Sequence, residues 1–91
     1  NVISILDNNY PVRLKEIHDA PVILYIKGST KVLNHTSIAL VGSRRASIYG
    51  VSVAYKFASR LAELGFNIVS GMALGIDASS HRGALKAGGI T

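Results

Sequence analysis

The sequence predicts an α/β fold built on a parallel sheet, with glycine loops at the carboxyl edge of its strands. Three observations carry that expectation. Ile38-Ala39-Leu40-Val41 is an unbroken apolar run that stops at Gly42, and a run without polar alternation suits a strand covered on both faces. From Ser47 the apolar residues change to helical spacing: Val51, Ala54, Phe57, Ala58, Leu61 and Leu64. The same order then repeats, with Phe66–Ser70 as a strand, Gly71–Ile76 as a second glycine loop, and a helix to about Lys86 before Ile90 opens a third strand. Strands joined through helices by short loops form parallel sheets with right-handed crossovers. Both glycine loops then emerge at the edge where open α/β sheets bind ligands.

The elements follow in chain order. Residues 1–20 have weak periodicity. Pro11 pushes Tyr10 out of helical conformation, and Val12 to His18 reads as a short helix with Leu14, Ile17 and His18 inward. His18 beside Asp19 reads as a capping or surface histidine, since no second ligand lies at metal spacing. Pro21 ends any helix, and Val22-Ile23-Leu24-Tyr25-Ile26 is β-branched and aromatic, a strand. Lys27-Gly28-Ser29-Thr30 ends it, and Lys31–Ser37 is a connector in which His35 is a polar loop residue. Ser47 is placed to cap the first long helix, with Lys56, Arg60 and Glu63 on its polar side. Gly65 stands where a left-handed residue closes a helix. Asp77 is expected to cap the second helix, and Gly88 and Gly89 to stop it. The chain divides into a lead-in helix and strand, residues 1–37, and the first part of the α/β domain, residues 38–91.

Bulk composition narrows the function classes. The 91 residues are 48% hydrophobic and 16% charged, which describes a globular chain. There is no cysteine, so no disulfide framework or thiolate metal site is expected, in keeping with a reducing cytoplasm. No apolar run approaches the ~18 residues of a membrane span, and no signal peptide is legible. Net charge is +5, of which residues 38–91 supply +4 through Arg44, Arg45, Lys56, Arg60, Arg82 and Lys86 against Glu63 and Asp77. That asymmetry fits a polyanionic partner or a solvated basic surface. The first residue is Asn1, and the chain closes on a helix stop and the opening of a strand. The sheet is therefore expected to be truncated at its C-terminus, with the natural protein continuing.

The two loops hold the candidate chemistry. Gly42-Ser43-Arg44-Arg45-Ala46-Ser47-Ile48-Tyr49-Gly50 lacks the glycine spacing of a dinucleotide fingerprint and the Gly-Lys-Ser/Thr of a Walker A loop. What remains is a turn with two guanidinium groups, able to grip phosphate oxygens at a helix start. The alternative is that Arg44 forms a structural bridge with Asp77. Ser70, Gly71 and Gly75 place a hydroxyl and glycine amides beside the first loop. Asp77 and His81 are four apart on one helix face, so acid–base chemistry and simple orientation of the loop both remain open. No nucleophile or second carboxylate accompanies them, so no catalytic residue, cofactor or metal is expected. Arg82 and Lys86 add charge on the same helix. Tyr55 reads as packing. Tyr49 either packs at the sheet edge or stacks on a base.

Ile38 to Arg44, Tyr49-Gly50, Ile68 to Asp77 and His81 together resemble the DNA-processing protein A (DprA/Smf) family of bacteria, and Tyr10-Pro11, Leu14, Ile17, Pro21, Leu24-Tyr25 and Lys27-Gly28 resemble its lead-in. The likeness runs from about Tyr10 to Thr91. It implies a Rossmann-like domain that binds single-stranded DNA, delivers it to the bacterial recombinase in natural transformation, and forms a homodimer when full length. It implies that Gly42, Ser43 and Arg44 line a phosphate pocket, with Ser70 to Asp77 as the second loop; Arg45 has no role assigned by the family pattern. The rival reading is a nucleoside-monophosphate phosphoribohydrolase of the lysine-decarboxylase-like type. Its second loop carries a glutamate, whereas the glutamates here are Glu16 and Glu63.

Overall fold

The structure, a computed structural model, describes residues 1–91. It divides into two compact units, residues 1–35 and residues 36–91.

In the first unit β1 (Val2–Ser4) pairs antiparallel with β2 (Ile23–Tyr25), in the register Val2↔Tyr25, Ile3↔Leu24 and Ser4↔Ile23. The amides of Ile5 and Ile26 extend the ladder to the carbonyls of Val22 and Asn1. No strand was expected before Pro11. Three residues are too few to display an alternation, and this strand exists only through its distant partner. Ile3 and Tyr10 are buried, and the Tyr10 hydroxyl donates to the Pro21 carbonyl. The expected helix over residues 12–18 shrinks to α1 (Val12–Lys15), because the amides of Glu16 and Ile17 donate three residues back and tighten the turn. The Asn34 side chain accepts from the Val12 amide at 2.8 Å and ties the connector to that helix start. A 3₁₀ turn, Thr30–Val32, is capped by Ser29.

In the second unit β3 (Ser37–Ala39), α2 (Ile48–Glu63), β4 (Asn67–Val69) and α3 (Ile76–Lys86) follow in order. β3 and β4 are parallel, with Ser37↔Asn67, Ile38↔Ile68 and Ala39↔Val69 opposite. The expectation of three strands is corrected to two. Ile90 joins only through its carbonyl, which accepts from the Ile68 amide at 2.9 Å. The result is an α/β fold with one parallel pair.

The helices are set by their ends. Ser47 is extended and accepts from the Gly50 amide at 3.0 Å, as its position before the apolar face implied. Gly65 (φ 96°) and Gly88 (φ 71°) close the two helices. In each case the next amide, Phe66 or Gly89, reaches back to Leu61 or Ala84 in a Schellman arrangement. The core is small: Ala58, Ala62, Ile68 and Ala84, with Leu40, Leu61 and Ala87 against it. The alanine stripe of Ala54, Ala58 and Ala62 is buried against α3, so α2 approaches closely enough for the Tyr55 carbonyl to stand over Gly83. Two members of the expected apolar face, Phe57 and Leu64, are exposed instead. Close approach of the helices selects small side chains and leaves larger ones at the margin.

Candidate phosphate-binding loops

Loop 1 joins β3 to α2, and loop 2 joins β4 to α3. They converge. Ser70 opens loop 2 and donates its hydroxyl to the Leu40 carbonyl at 2.6 Å, linking the ends of the parallel strands. Gly75 sits at φ 78°, ψ −122°, a conformation open to glycine alone. A Cβ there would collide with the carbonyl oxygens of Ser43 and Arg44. The Ile76 amide donates to the Ser43 carbonyl at 3.2 Å. The Ile76 side chain lies over Gly42, where a Cβ would be 2.6 Å from Ile76 Cγ1. Glycine is therefore required at both points by close approach. The sequence placed Leu40 in the strand and Ile76 at the end of loop 2 and assigned neither a part in the site, because contact between segments about 30 residues apart leaves no local signal.

Loop 1 is held from within by its hydroxyls. Ser43 Oγ accepts from the Arg45 amide at 3.1 Å, a side-chain turn that shapes the bend. The amides of Gly42, Ser43 and Arg44 donate to no acceptor in the chain, and Gly42 through Arg45 are all exposed. The arginines thus stand on an exposed loop whose backbone is held at Ser43 by the Ile76 amide and whose first three amides are without a partner in the chain. Such a surface can take phosphate oxygens through amides and bidentate arginine together.

The remaining candidates separate. Gly50 is engaged with Ser47 at the start of α2. Tyr49, 79% exposed, lines an open apolar groove with Leu40, Val41, Val53, Phe57 and Ile76, so the loops lie beside an apolar wall. Asp77 is not the cap of α3: the capping position is Gly75, and Asp77 is the second residue of the helix, in its first turn, with its side chain reaching back. Its Oδ2 accepts from the amides of Gly71 at 3.0 Å and Ala73 at 3.4 Å. The carboxylate faces the loop backbone rather than Arg44, which removes the structural-bridge alternative. His81 does not meet Asp77. Its Nδ1 is 2.6 Å from Thr91 Oγ1, and Thr91 donates to the Ile68 carbonyl at 2.7 Å. The threonine oxygen thus accepts from the ring, which assigns the His81 proton to Nδ1. Nε2 is buried without a partner. Arg82 is exposed. Glu63 pairs with Arg60 at 3.3 Å on the outer face of α2, away from either loop. No group of three or more metal-type ligands is present, and no helix is long and apolar enough to cross a membrane.

Comparison with known proteins gives consistent matches. A family model described as DNA recombination-mediator protein A matches residues 1–91. The DNA processing protein DprA of Streptococcus pneumoniae is 47% identical over 88 residues, which is 97% of this chain and 31% of that protein. The DprA of Bacillus subtilis is 39% identical over 92 residues, 100% of this chain and 31% of its own length. Protein Smf of Escherichia coli is 38% identical over 82 residues, 90% of this chain and 22% of its own length. The X-ray structure of DNA processing protein A from Streptococcus pneumoniae superposes with a TM-score of 0.91 at 45% identity, covering 98% of this chain and 31% of that one. The chain spans less than a third of the length of these relatives.

Proposed function

The chain belongs to the DNA recombination-mediator protein A family, and from that premise we propose that it supplies the phosphate-holding loops of a protein that binds single-stranded DNA and delivers it to the bacterial recombinase in transformation and recombination. In this reading the parallel pair and its helices open a Rossmann-like sheet, and the full-length protein is a cytoplasmic homodimer without enzymatic activity. Gly42, Ser43, Arg44 and Arg45 hold backbone phosphates, with Tyr49 and Gly50 at the helix start beside them. Ser70, Gly71, Gly75 and Asp77 form the supporting loop, and His81 and Arg82 lie on the helix behind it.

The observation that supports this most is the seating of the Ser43–Arg44 backbone on Gly75 and Ile76. It holds the backbone of an exposed loop that carries three amides without partners in the chain and two arginines. Contacts of that kind are made to sugar–phosphate and carry little sequence information.

The test is titration of a fluorescent oligonucleotide into the full-length protein and its Arg44→Ala variant. The expected result is a loss of about tenfold or more in affinity, equal for strands of different sequence, as removal of a charge-assisted contact implies. An unchanged affinity would remove Arg44 from the site. Release of free base from nucleoside monophosphates would instead establish an enzyme.

A further inference from the structure

Asp77 is only 7% exposed, yet it has no cationic partner. A buried carboxylate persists where hydrogen-bond donors replace its water. Here the donors are the amides of Gly71 and Ala73, and both converge on one oxygen, Oδ2. Between them lies Met72 at φ 60°, the one non-glycine residue in left-handed conformation. That conformation is strained for a residue with a side chain and persists only where its surroundings impose it. The shared oxygen fixes the amides on either side. Gly71 leaves the oxygen room to approach, since a Cβ there would be 2.8 Å from it.

The consequence reaches the other loop. Asp77 follows directly on Gly75 and Ile76, the residues that bear on Ser43 and Arg44. With the bend at Met72 braced, the path from Gly71 to Ile76 is set, and so is the position of the Ile76 amide under the Ser43 carbonyl. We propose that Asp77 is a positioning residue: its carboxylate holds loop 2 in the shape that seats the arginine loop, and it does not itself touch the nucleic acid. The proposal deepens the reading of Arg44 as a phosphate ligand and rests on it for its functional consequence.

One oxygen makes both hydrogen bonds, so an amide oxygen can replace it. Asp77→Asn keeps the brace without the charge; Asp77→Ala removes both. Gly71→Ala keeps the charge and displaces the brace. The experiment uses the full-length protein and two readouts. The first is amide hydrogen exchange at Gly71, Ala73 and Ile76. Asp77→Ala and Gly71→Ala are each expected to speed exchange at Ile76 by about tenfold or more, as loss of hydrogen bonds to a charged group implies, while Asp77→Asn stays within about threefold of the wild type. The second is oligonucleotide affinity. Asp77→Ala is expected to bind about tenfold more weakly, and Arg44→Ala/Asp77→Ala to lose less affinity than the two single losses multiplied together. Should Asp77→Ala fail to fold, Gly71→Ala carries both readouts.

Three results would overturn the proposal. One is unchanged exchange at Ile76 when the brace is broken. Another is Asp77→Asn behaving like the alanine variant, which would mean that the charge itself is used. The last is additivity of the Arg44 and Asp77 effects. If Arg44→Ala binds as the wild type does, the DNA reading fails by itself, and the exchange data still decide the role of Asp77.

Discussion

Gly42 and Gly75 require glycine for different reasons than Gly65 and Gly88 do. Gly65 has a left-handed φ of 96°, but nothing lies within 4 Å of where a Cβ would project. Its substitution meets only backbone strain, about 1–2 kcal/mol for a left-handed alanine. Gly75 combines a glycine-only conformation with backbone oxygens of loop 1 in the space a Cβ would take. Main chain cannot swing aside as a flexible side-chain end can. Gly75→Ala is therefore expected to cost at least about 3 kcal/mol, from strain and overpacking together. Gly65→Ala should cost less, within the about 1–2 kcal/mol of the backbone strain alone. Denaturant titration of the two variants measures the difference, and equal losses would mean that the contact between the loops contributes nothing to stability. The sequence displayed both glycines, yet it could not tell them apart. A helix stop is visible in the residues before it, whereas a close approach depends on a segment more than 30 residues away.

The elements show the same division between local and distant causes. The limits of α2 were legible because Ser47, Gly65 and the spacing between them act locally, through the helix's own orphan amides and carbonyls. The parallel pairing of β3 with β4 was legible because a strand, a helix and a second strand follow one another through short connections. The two covered faces expected of the run over residues 38–41 are not found, since β3 is exposed at Ser37 and Ala39 and Val41 is 75% exposed. β1 was not, since its pairing partner lies beyond a helix and a proline. Nor was the burial of α2. Spacing nominated Phe57 and Leu64, but the contact surface was chosen by Gly83 on α3, which admits the Tyr55 carbonyl and leaves room only for alanines. In an open helix Gly83→Ala would gain about 1 kcal/mol in propensity. Here the new methyl would press on the Tyr55 carbonyl and lie 3.1 Å from Ala58 Cβ, and overpacking of this kind costs about 1–3 kcal/mol. The clash is with backbone, so the upper part of that range applies and the net effect is a loss. Ala58→Gly in the same chain should restore little, because it relieves the methyl contact and not the carbonyl. Full recovery in the double variant, read from denaturation midpoints, would show that side chains rather than main chain set the helix separation.

For the whole molecule the question is how much of the +5 charge a nucleic-acid strand would use. Residues 36–91 carry six basic side chains, but the fold does not present them together. Lys56 and Arg60 lie on the side of α2 away from the buried alanines, and Arg60 is already paired with Glu63 in an exposed pair worth at most about 1 kcal/mol. Arg44 and Arg45 stand on loop 1, where the free amides are. The logarithm of affinity for a single strand falls with the logarithm of salt concentration by about 0.7 for each phosphate neutralised. Contributions from other regions of a longer protein cancel when variants are compared with the wild type, so differences in slope isolate each side chain. Arg44→Ala is expected to flatten the slope by about 0.7, and Lys56→Ala to leave it unchanged, because a cation outside the contact releases no counterion on binding. Net charge falls by one in both variants, so long-range attraction weakens equally, and only a local contact separates them. If the two slopes flatten alike, the strand responds to the overall field of a basic domain and the loops are not its seat.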